Sequence, residues 1–404
     1  MSLFVEAFFL QAGYNATLVA IGAGVLGFAA GASGTFPFLR KRALISDAVA
    51  HATLPGIGLA FILMVTFGGD GRSLLGLIAG SALTAWTGLL LIEWISRRTR
   101  LTEDAAIGAI LGTFFGAGIV FLTVIQGMSA GRQAGLEGFL LGSTAGMLFQ
   151  DALLIAVGGS LAVLVTWLMR RPMTIVAFDS DYAMTLGYDV RRIDLLMMGL
   201  VLSVTVIGLK LVGLILIVAM LIIPAVAARF WTDRSTKMIW IAGCIGGASG
   251  YLGAVLSASA PAMPTGPIIV LVAAGIFVFS LLFAPDRGVL VTLFRHRGFQ
   301  ARVHRRQGLL ALAAHHPIRE AYTLRLLTRE GLVRPDGVPT DAGRAQAAKI
   351  ARDERRWDVA REIYQDTGLT GRYDGLTPIE DVFTADEIAE LDHQLGPPVT
   401  ARTE

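Results

Sequence analysis

Residues 40–61 read RKRALISDAVAHATLPGIGLAF. Three basic residues open the stretch, and from Ala43 to Phe61 the only ionisable side chains are Asp47 and His51. This is the pattern of a helix entering a bilayer, with a cationic foot at the interface and an apolar body beyond it. Asp47 and His51 are four residues apart, so on a helix they share one face. Counting ~1.5 Å per residue inward from the basic cluster places Asp47 roughly 7 Å deep and His51 roughly 13 Å deep. An ionisable group at such depth is expensive, and by default it lines a polar path or meets a partner. A carboxylate oxygen and an imidazole nitrogen on one face make half of a coordination shell, suited to Mn, Zn or Fe(II) rather than to an alkali ion. The plainer alternative is that the two only hydrogen-bond each other or pack against another helix.

The chain around this segment fits the same solvent. Of its 404 residues 54% are hydrophobic and only 16% charged, with a mean hydropathy of +0.63. That is too little charge to cover a soluble protein of this length. Apolar runs able to span ~30 Å recur near 16–38, 47–68, 73–95, 104–126, 151–169, 193–209, 211–228, 236–257 and 267–284. The sixth and seventh are short and nearly continuous around Lys210, so eight or nine transmembrane helices are expected. Phe139–Phe149 is too short to span and reads as a re-entrant or interfacial piece. Gly27/Gly31, Gly112/Gly116, Gly243/Gly247 and Gly246/Gly250 are GxxxG pairs, which let membrane helices approach closely. Pro55 and Pro224 fall inside apolar runs and permit kinks.

Loop charges orient the spans. Arg40, Lys41, Arg42, Arg97, Arg98, Arg100, Arg170, Arg171, Arg191, Arg192, Arg229, Arg234 and Lys237 fall on one side, and the other side collects only Arg72, Arg132 and Lys210. The first side is therefore expected to be cytoplasmic. The N-terminus has no basic n-region, so a cleaved signal peptide is not expected. Cys244 is the single cysteine, which excludes an internal disulfide and a thiolate cluster. No Walker A motif is present, so ATP must bind elsewhere; the spans hold no HExxH, no GxSxG and no Cys/His catalytic pairing, so an enzyme reading has little support.

Residues 295–404 hold 17 of the 34 Lys/Arg and 17 of the 31 Asp/Glu. The expected architecture is an all-α polytopic membrane domain over 1–290, a basic linker over 291–302 and a small, mostly helical cytoplasmic domain over 303–404. In the last domain, 305–314 and 318–331 fit helices, and a third runs from Asp341 to Tyr364 with Thr340 as its N-cap.

One loop stands out, AFDSDYAMTLGYDVRRID at 177–194. It holds a short amphipathic stretch from Asp179 to Leu186 closed by Gly187, a suitable helix C-cap. Such a helix could dock a soluble partner or lie solvated between two spans. Together with GTFPFLRKRALISDAVAHATLPGIGLAF and the run VGLILIVAMLIIPAVAAR at 212–229, it gives the chain its resemblance, over about Leu18 to Ala284, to the zinc/manganese/iron-type permeases of ABC importers. The resemblance implies a transmembrane permease, moving a divalent transition metal into the cytoplasm across the inner membrane. Asp47 and His51 match the family's intramembrane metal residues. Phe178, Asp179, Asp181, Tyr182, Leu186 and Gly187 match its coupling helix, which contacts the ATPase subunit. The implied partners are that ATPase, an extracytoplasmic metal-binding protein, a second permease copy or related permease, and membrane lipid. No permanently bound cofactor is implied, and the transported ion is Mn2+ in preference to Zn2+ or Fe2+. Lys210 departs from the family, standing where an uncharged polar residue is expected.

The tail resembles a degenerate winged helix of the iron-dependent repressor family, most clearly over Leu326–Tyr364. Where that family carries metal ligands after the long helix, this chain reads YDGLTPIEDVFT, with no Cys or His. With its charges balanced, protein contact or autoregulation is expected of it ahead of metal sensing, with DNA binding last. Two alternatives remain at this point. A membrane-tethered, metal-responsive regulator would need only one or two spans, and a chelate or vitamin permease would have no use for Asp47 and His51.

Overall fold

The structure, a computed structural model, describes residues 3–69, 71, 73–128, 147–260, 263–285, 287–364 and 375–395. The chain divides into two units, Met1–Val291 and Thr292–Glu404.

The first unit is a helical bundle. After a short helix α1 (Leu3–Phe8) come α2 (Tyr14–Leu39), α3 (Leu44–Thr66), α4 (Leu74–Arg98), α5 (Glu103–Gly127) and α6 (Phe149–Leu168). Two short helices follow, α7 (Arg170–Phe178) and α8 (Ser180–Thr185), then α9 (Val190–Val212), α10 (Leu214–Arg229), α11 (Ser235–Ala258) and α12 (Thr265–Phe283). Eight of the described helices are long and apolar enough to cross a membrane. The ninth, α10, has 16 residues and reaches only ~24 Å. The short piece expected over Phe139–Phe149 lies largely outside the described residues, as does the side chain of Lys210. The break between the sixth and seventh apolar runs falls at Gly213, whose φ of 75° ends α9 in a conformation that glycine adopts without strain.

Helix α2 forms the centre of the bundle. It is buried from Val19 to Pro37 over most of its length and packs on α6, α9, α10 and α11. Glycine makes this possible. A Cβ on Gly27 would collide with the carbonyl of Gly246, one on Gly31 with that of Ala242, and one on Gly250 with that of Ala23. A second cluster joins α3 to α4 and α5, where Gly56 meets Gly80 backbone to backbone and Gly118 lies against Leu54 and Pro55. Helix α6 shows how lipid and core divide one helix. Asp151, Ile155, Gly159, Ala162 and Thr166 are buried, while Leu153, Val157, Leu161, Leu164 and Leu168 are exposed. Both series step by four and three residues, as two opposite faces of a helix must.

The basic loops converge on one end of this unit. Arg40 bonds the Val176 carbonyl of α7, Arg42 pairs with Glu103, Arg97 and Arg191 share Glu93, and Arg229 and Arg287 share Asp233. Thr174 and Ser235 hydrogen-bond at 3.0 Å. The start of α11 therefore lies at the α7 end, and α9 and α10 run out and back.

In the second unit, Val289–Ala313 (α13) begins in the bundle unit and continues through the stretch expected as a linker; 291–302 is helical. It is followed by α14 (Ala321–Arg329), α15 (Asp341–Ile363), a 3-10 turn at Ile379–Asp381 and α16 (Ala385–Leu395). Among the described residues the strand-like pairing is one isolated bridge, Val333 to Pro339. Leu309, Leu327, Leu332, Val333 and Ala347 form one small core; Trp357, Ala360, Ile379, Phe383 and Leu391 form another. Thr340 caps α15 by accepting the Gly343 N–H at 3.1 Å.

Candidate functional site

Helix α3 starts at Leu44, immediately after the corner 40–43, so Asp47 lies in its first turn and His51 one turn deeper. Their neighbours Ala48, Val49, Ala50 and Ala52 are buried, and the pair sits at the edge of the packed face with side chains 39% and 21% exposed. His51 Nε2 lies 3.4 Å from Asp47 Oδ1. The imidazole stands edge-on to Phe115 of α5, with ring centres 5.0 Å apart at 87°. Its Nδ1 is buried and has no hydrogen-bond partner. Leaving such a nitrogen unsatisfied costs ~1–3 kcal/mol, so the site is chemically incomplete within this chain. Among the described residues no three His, Cys, Asp or Glu side chains gather as a metal would require. The fit to a metal is thus that of a half-site: one carboxylate, one imidazole and an unsatisfied nitrogen.

The face of α5 beside His51 is open. Gly108, Gly112 and Gly116 would each carry a Cβ with no neighbour within 4 Å. Gly112 and Gly116 therefore differ from the Gly27/Gly31 pair, which is consumed in packing within the chain.

At the basic end, α7 and α8 form an elbow. Asp179 is the N-cap of α8, its Oδ1 accepting the N–H groups of Asp181 at 3.1 Å and Tyr182 at 2.9 Å. Gly187 closes the helix at φ 82°. Asp179 and Gly187 thus hold the helix in shape. The surface it offers consists of Phe178, Tyr182, Met184 and Leu186, all exposed, with Asp181 beside them. These apolar side chains are exposed at the charged end of the unit. Met184 adds to the residues the sequence singled out. Phe115 was also missed, and only its adjacency to Gly116 hints at an interhelical position.

A bundle with eight candidate spans among its described residues, carrying an ionisable pair inside one helix and a short helix with exposed apolar side chains at its charged end, is the architecture of a polytopic membrane protein. Residues 14–284 match the ABC 3 transport family, and the chain belongs to that family of transport permeases. It is 42% identical over 308 residues to the manganese transport system membrane protein MntC of Bacillus subtilis, covering 76% of this chain and 70% of that protein. It is 38% identical over 284 residues to the zinc transport system membrane protein TroC of Treponema pallidum, covering 70% of this chain and 94% of that protein. Among solved structures, PsaBC from Streptococcus pneumoniae in complex with Fab superposes with a TM-score of 0.60 at 30% identity, over 70% of this chain and 96% of the other.

Proposed function

We propose that this protein is the membrane permease of an ABC importer that carries a divalent transition metal, manganese in preference to zinc or ferrous iron, into the cytoplasm. The observation that carries the reading is the Asp47–His51 pair: two donors one turn apart within a membrane helix, with a buried ring nitrogen left open. A hard carboxylate oxygen with an imidazole suits Mn(II) and also Zn(II), and the names of the relatives above lean the same way. A second copy, or a related permease, packed on the open Gly108–Gly112–Gly116 face would bring a second such pair and double the donors to four. ATP is hydrolysed on a separate subunit that docks on Phe178, Tyr182, Met184 and Leu186, and an extracytoplasmic binding protein delivers the ion to the opposite end. The basic end of the bundle faces the cytoplasm, and the second unit is a cytoplasmic domain.

We read that unit as resembling a reduced winged helix, a reading supported by the order of α14, the isolated Val333–Pro339 bridge and the long α15. With charges balanced and no metal-ligand cluster among the described residues, its role is contact with protein or autoregulation.

The test is accumulation of Mn, Zn and Fe, measured together in cells with and without the protein. Manganese uptake that depends on the protein, and is lost in Asp47→Asn and His51→Ala while the ATPase still co-purifies, is the expected result. Wild-type uptake by His51→Ala removes the coordination reading.

A further inference from the structure

One charged side chain of the bundle is almost completely buried between two arginines. Asp194, near the start of α9, is 5% exposed. Its carboxylate lies 3.0 Å from Arg42 Nη1 and 3.4 Å from both Arg40 Nη2 and Arg40 Nε. Arg42 continues to Glu103, the first residue of α5, at 2.7 and 3.0 Å. Arg40 continues to the Val176 carbonyl of α7 at 2.9 Å. A single chain of polar contacts therefore links the elbow that carries α8 to α9, to α5 and to the corner from which α3 begins. Asp47 lies five residues beyond Arg42.

The corner is built to transmit movement. It is four residues long, and Lys41 within it holds φ at 62°, a left-handed conformation that is costly for a residue with a Cβ. The Lys41 and Arg42 N–H groups are bonded back to the carbonyls of Phe38 and Pro37 at 2.9 and 2.8 Å. The corner therefore cannot absorb a displacement of Arg40 by local bending. Space for rearrangement lies instead around Asp194, where cavities of about 10 and about 40 Å³ adjoin the carboxylate. The contacts on its two sides are unequal: those to Arg42 are short, and those to Arg40 are long. Arg40 is also the side bonded to α7, through the Val176 carbonyl.

We propose that Arg40, Asp194 and Arg42 are positioning residues that carry movement of the α7–α8 elbow to the Asp47–His51 helix. The proposal rests on the reading of α8 as the ATPase-docking helix. Asp194 touches no transported ion; it fixes where α3 stands when α8 is displaced. Neutralising it leaves two arginines facing each other in a partly buried space, so the link opens at its centre.

The test uses the full chain assembled with its ATPase subunit in proteoliposomes. In a Cys244→Ser background, Leu44→Cys reports the start of α3 and Arg171→Cys, on α7 and outside the docking residues, reports the elbow; both side chains are exposed. With the joint intact, ATP changes the thiol-labelling rate at both positions by at least threefold. Asp194→Asn is expected to keep the response at 171 and lose it at 44. Metal moved per ATP falls at least tenfold, while hydrolysis stays within twofold. Asp194→Glu, which retains the carboxylate, restores more than half of both responses. Arg40→Gln leaves the Arg42–Asp194 pair in place and gives the same separation of 171 from 44, so it carries the test if Asp194→Asn does not assemble. Labelling at 44 that still follows ATP in both variants overturns the joint, as does parallel loss at both positions. Labelling does not depend on which ion is carried. A wild type that responds at both positions but moves none of Mn, Zn or Fe overturns the transport reading and leaves the joint standing.

Discussion

His51 uses one ring nitrogen toward Asp47 and leaves the other buried and unbonded. If the ring served only to pack on Phe115, a leucine of similar bulk would replace it with little loss. If its nitrogens bind the transported ion, His51→Leu and His51→Ala lose uptake alike, by at least ~10-fold, the low end of what losing even an outer contact to a metal costs. Radioactive manganese uptake by the two variants, normalised to protein in the membrane, distinguishes these. A different residue-scale expectation concerns Arg356 of α15, which is held between Asp353 at 2.9 Å and Asp392 of α16 at 2.6 Å. The hydrogen bond from Arg356 outweighs desolvation and holds the Asp392 carboxyl below its usual pKa. The sign follows: the pair stabilises the folded unit above about pH 4, the unfolded value, and that stability is lost as pH falls through the lower folded value. Asp392 is well exposed, so the gain is at most ~1 kcal/mol. Asp392→Asn should speed amide exchange in α16 at pH 7 by up to ~5-fold, and by progressively less as the pH falls below about 4.

At the scale of elements, the glycines divide into two kinds that the GxxxG spacing alone does not separate. Gly27 on α2 and Gly246 on α11 are in backbone contact. Gly27→Leu forces the two helices apart, at a cost of several kcal/mol (overpacking typically costs ~1–3 kcal/mol for a few atoms), and folded protein should be lost. Gly112→Leu meets open space in this chain, so the monomer should fold, and the change should appear only in assembly as a shift from dimer to monomer in detergent by light scattering. Monomer and dimer populations equal to wild type would remove α5 as the contact face. The docking helix divides similarly. Asp179 caps α8, so Asp179→Ala is expected to loosen the helix at ~1 kcal/mol. Met184→Ser and Asp181→Lys should weaken co-purification of the ATPase with the helix intact. Sequence spacing located this helix because caps and a glycine stop are local signals. Which of its residues face outward depends on how α7 leaves Met169, and that is set by packing against α2 and α9.

For the whole molecule, two units imply two stabilities. The division falls at Val291, inside helix α13, rather than at the end of a basic linker. Ending the chain after Val291 should leave the bundle folded, assembled with the ATPase and active in uptake, because among the described residues no candidate span lies beyond Phe283. Ending it after Arg302 leaves the exposed stretch 292–300, with Leu293, Phe294 and Phe299, without the unit it leads into. That form should aggregate more readily. Size exclusion and uptake of the two truncations, compared with the full chain, check both statements. In the second unit Leu309, Leu327 and Trp357 are buried, whereas Ile363, equally apolar, is exposed at the end of α15. Terminal turns fray from the core whatever their hydrophobicity, so periodicity overreaches there.

Apolar length, loop charge and the i, i+4 spacing of Asp47 and His51 were readable from residues 40–61 and their surroundings. Each rests on a property of the chain over one span: the energy of placing residues in lipid, and the pitch of a helix. What only the tertiary structure decided are contacts between residues far apart in sequence: Phe115 against His51, Gly27 against Gly246, and Arg40 against Asp194 across 154 positions. No local pattern encodes these, because a helix buried on several sides is apolar on nearly all of them. The choice among its faces is made by which glycines let another backbone approach.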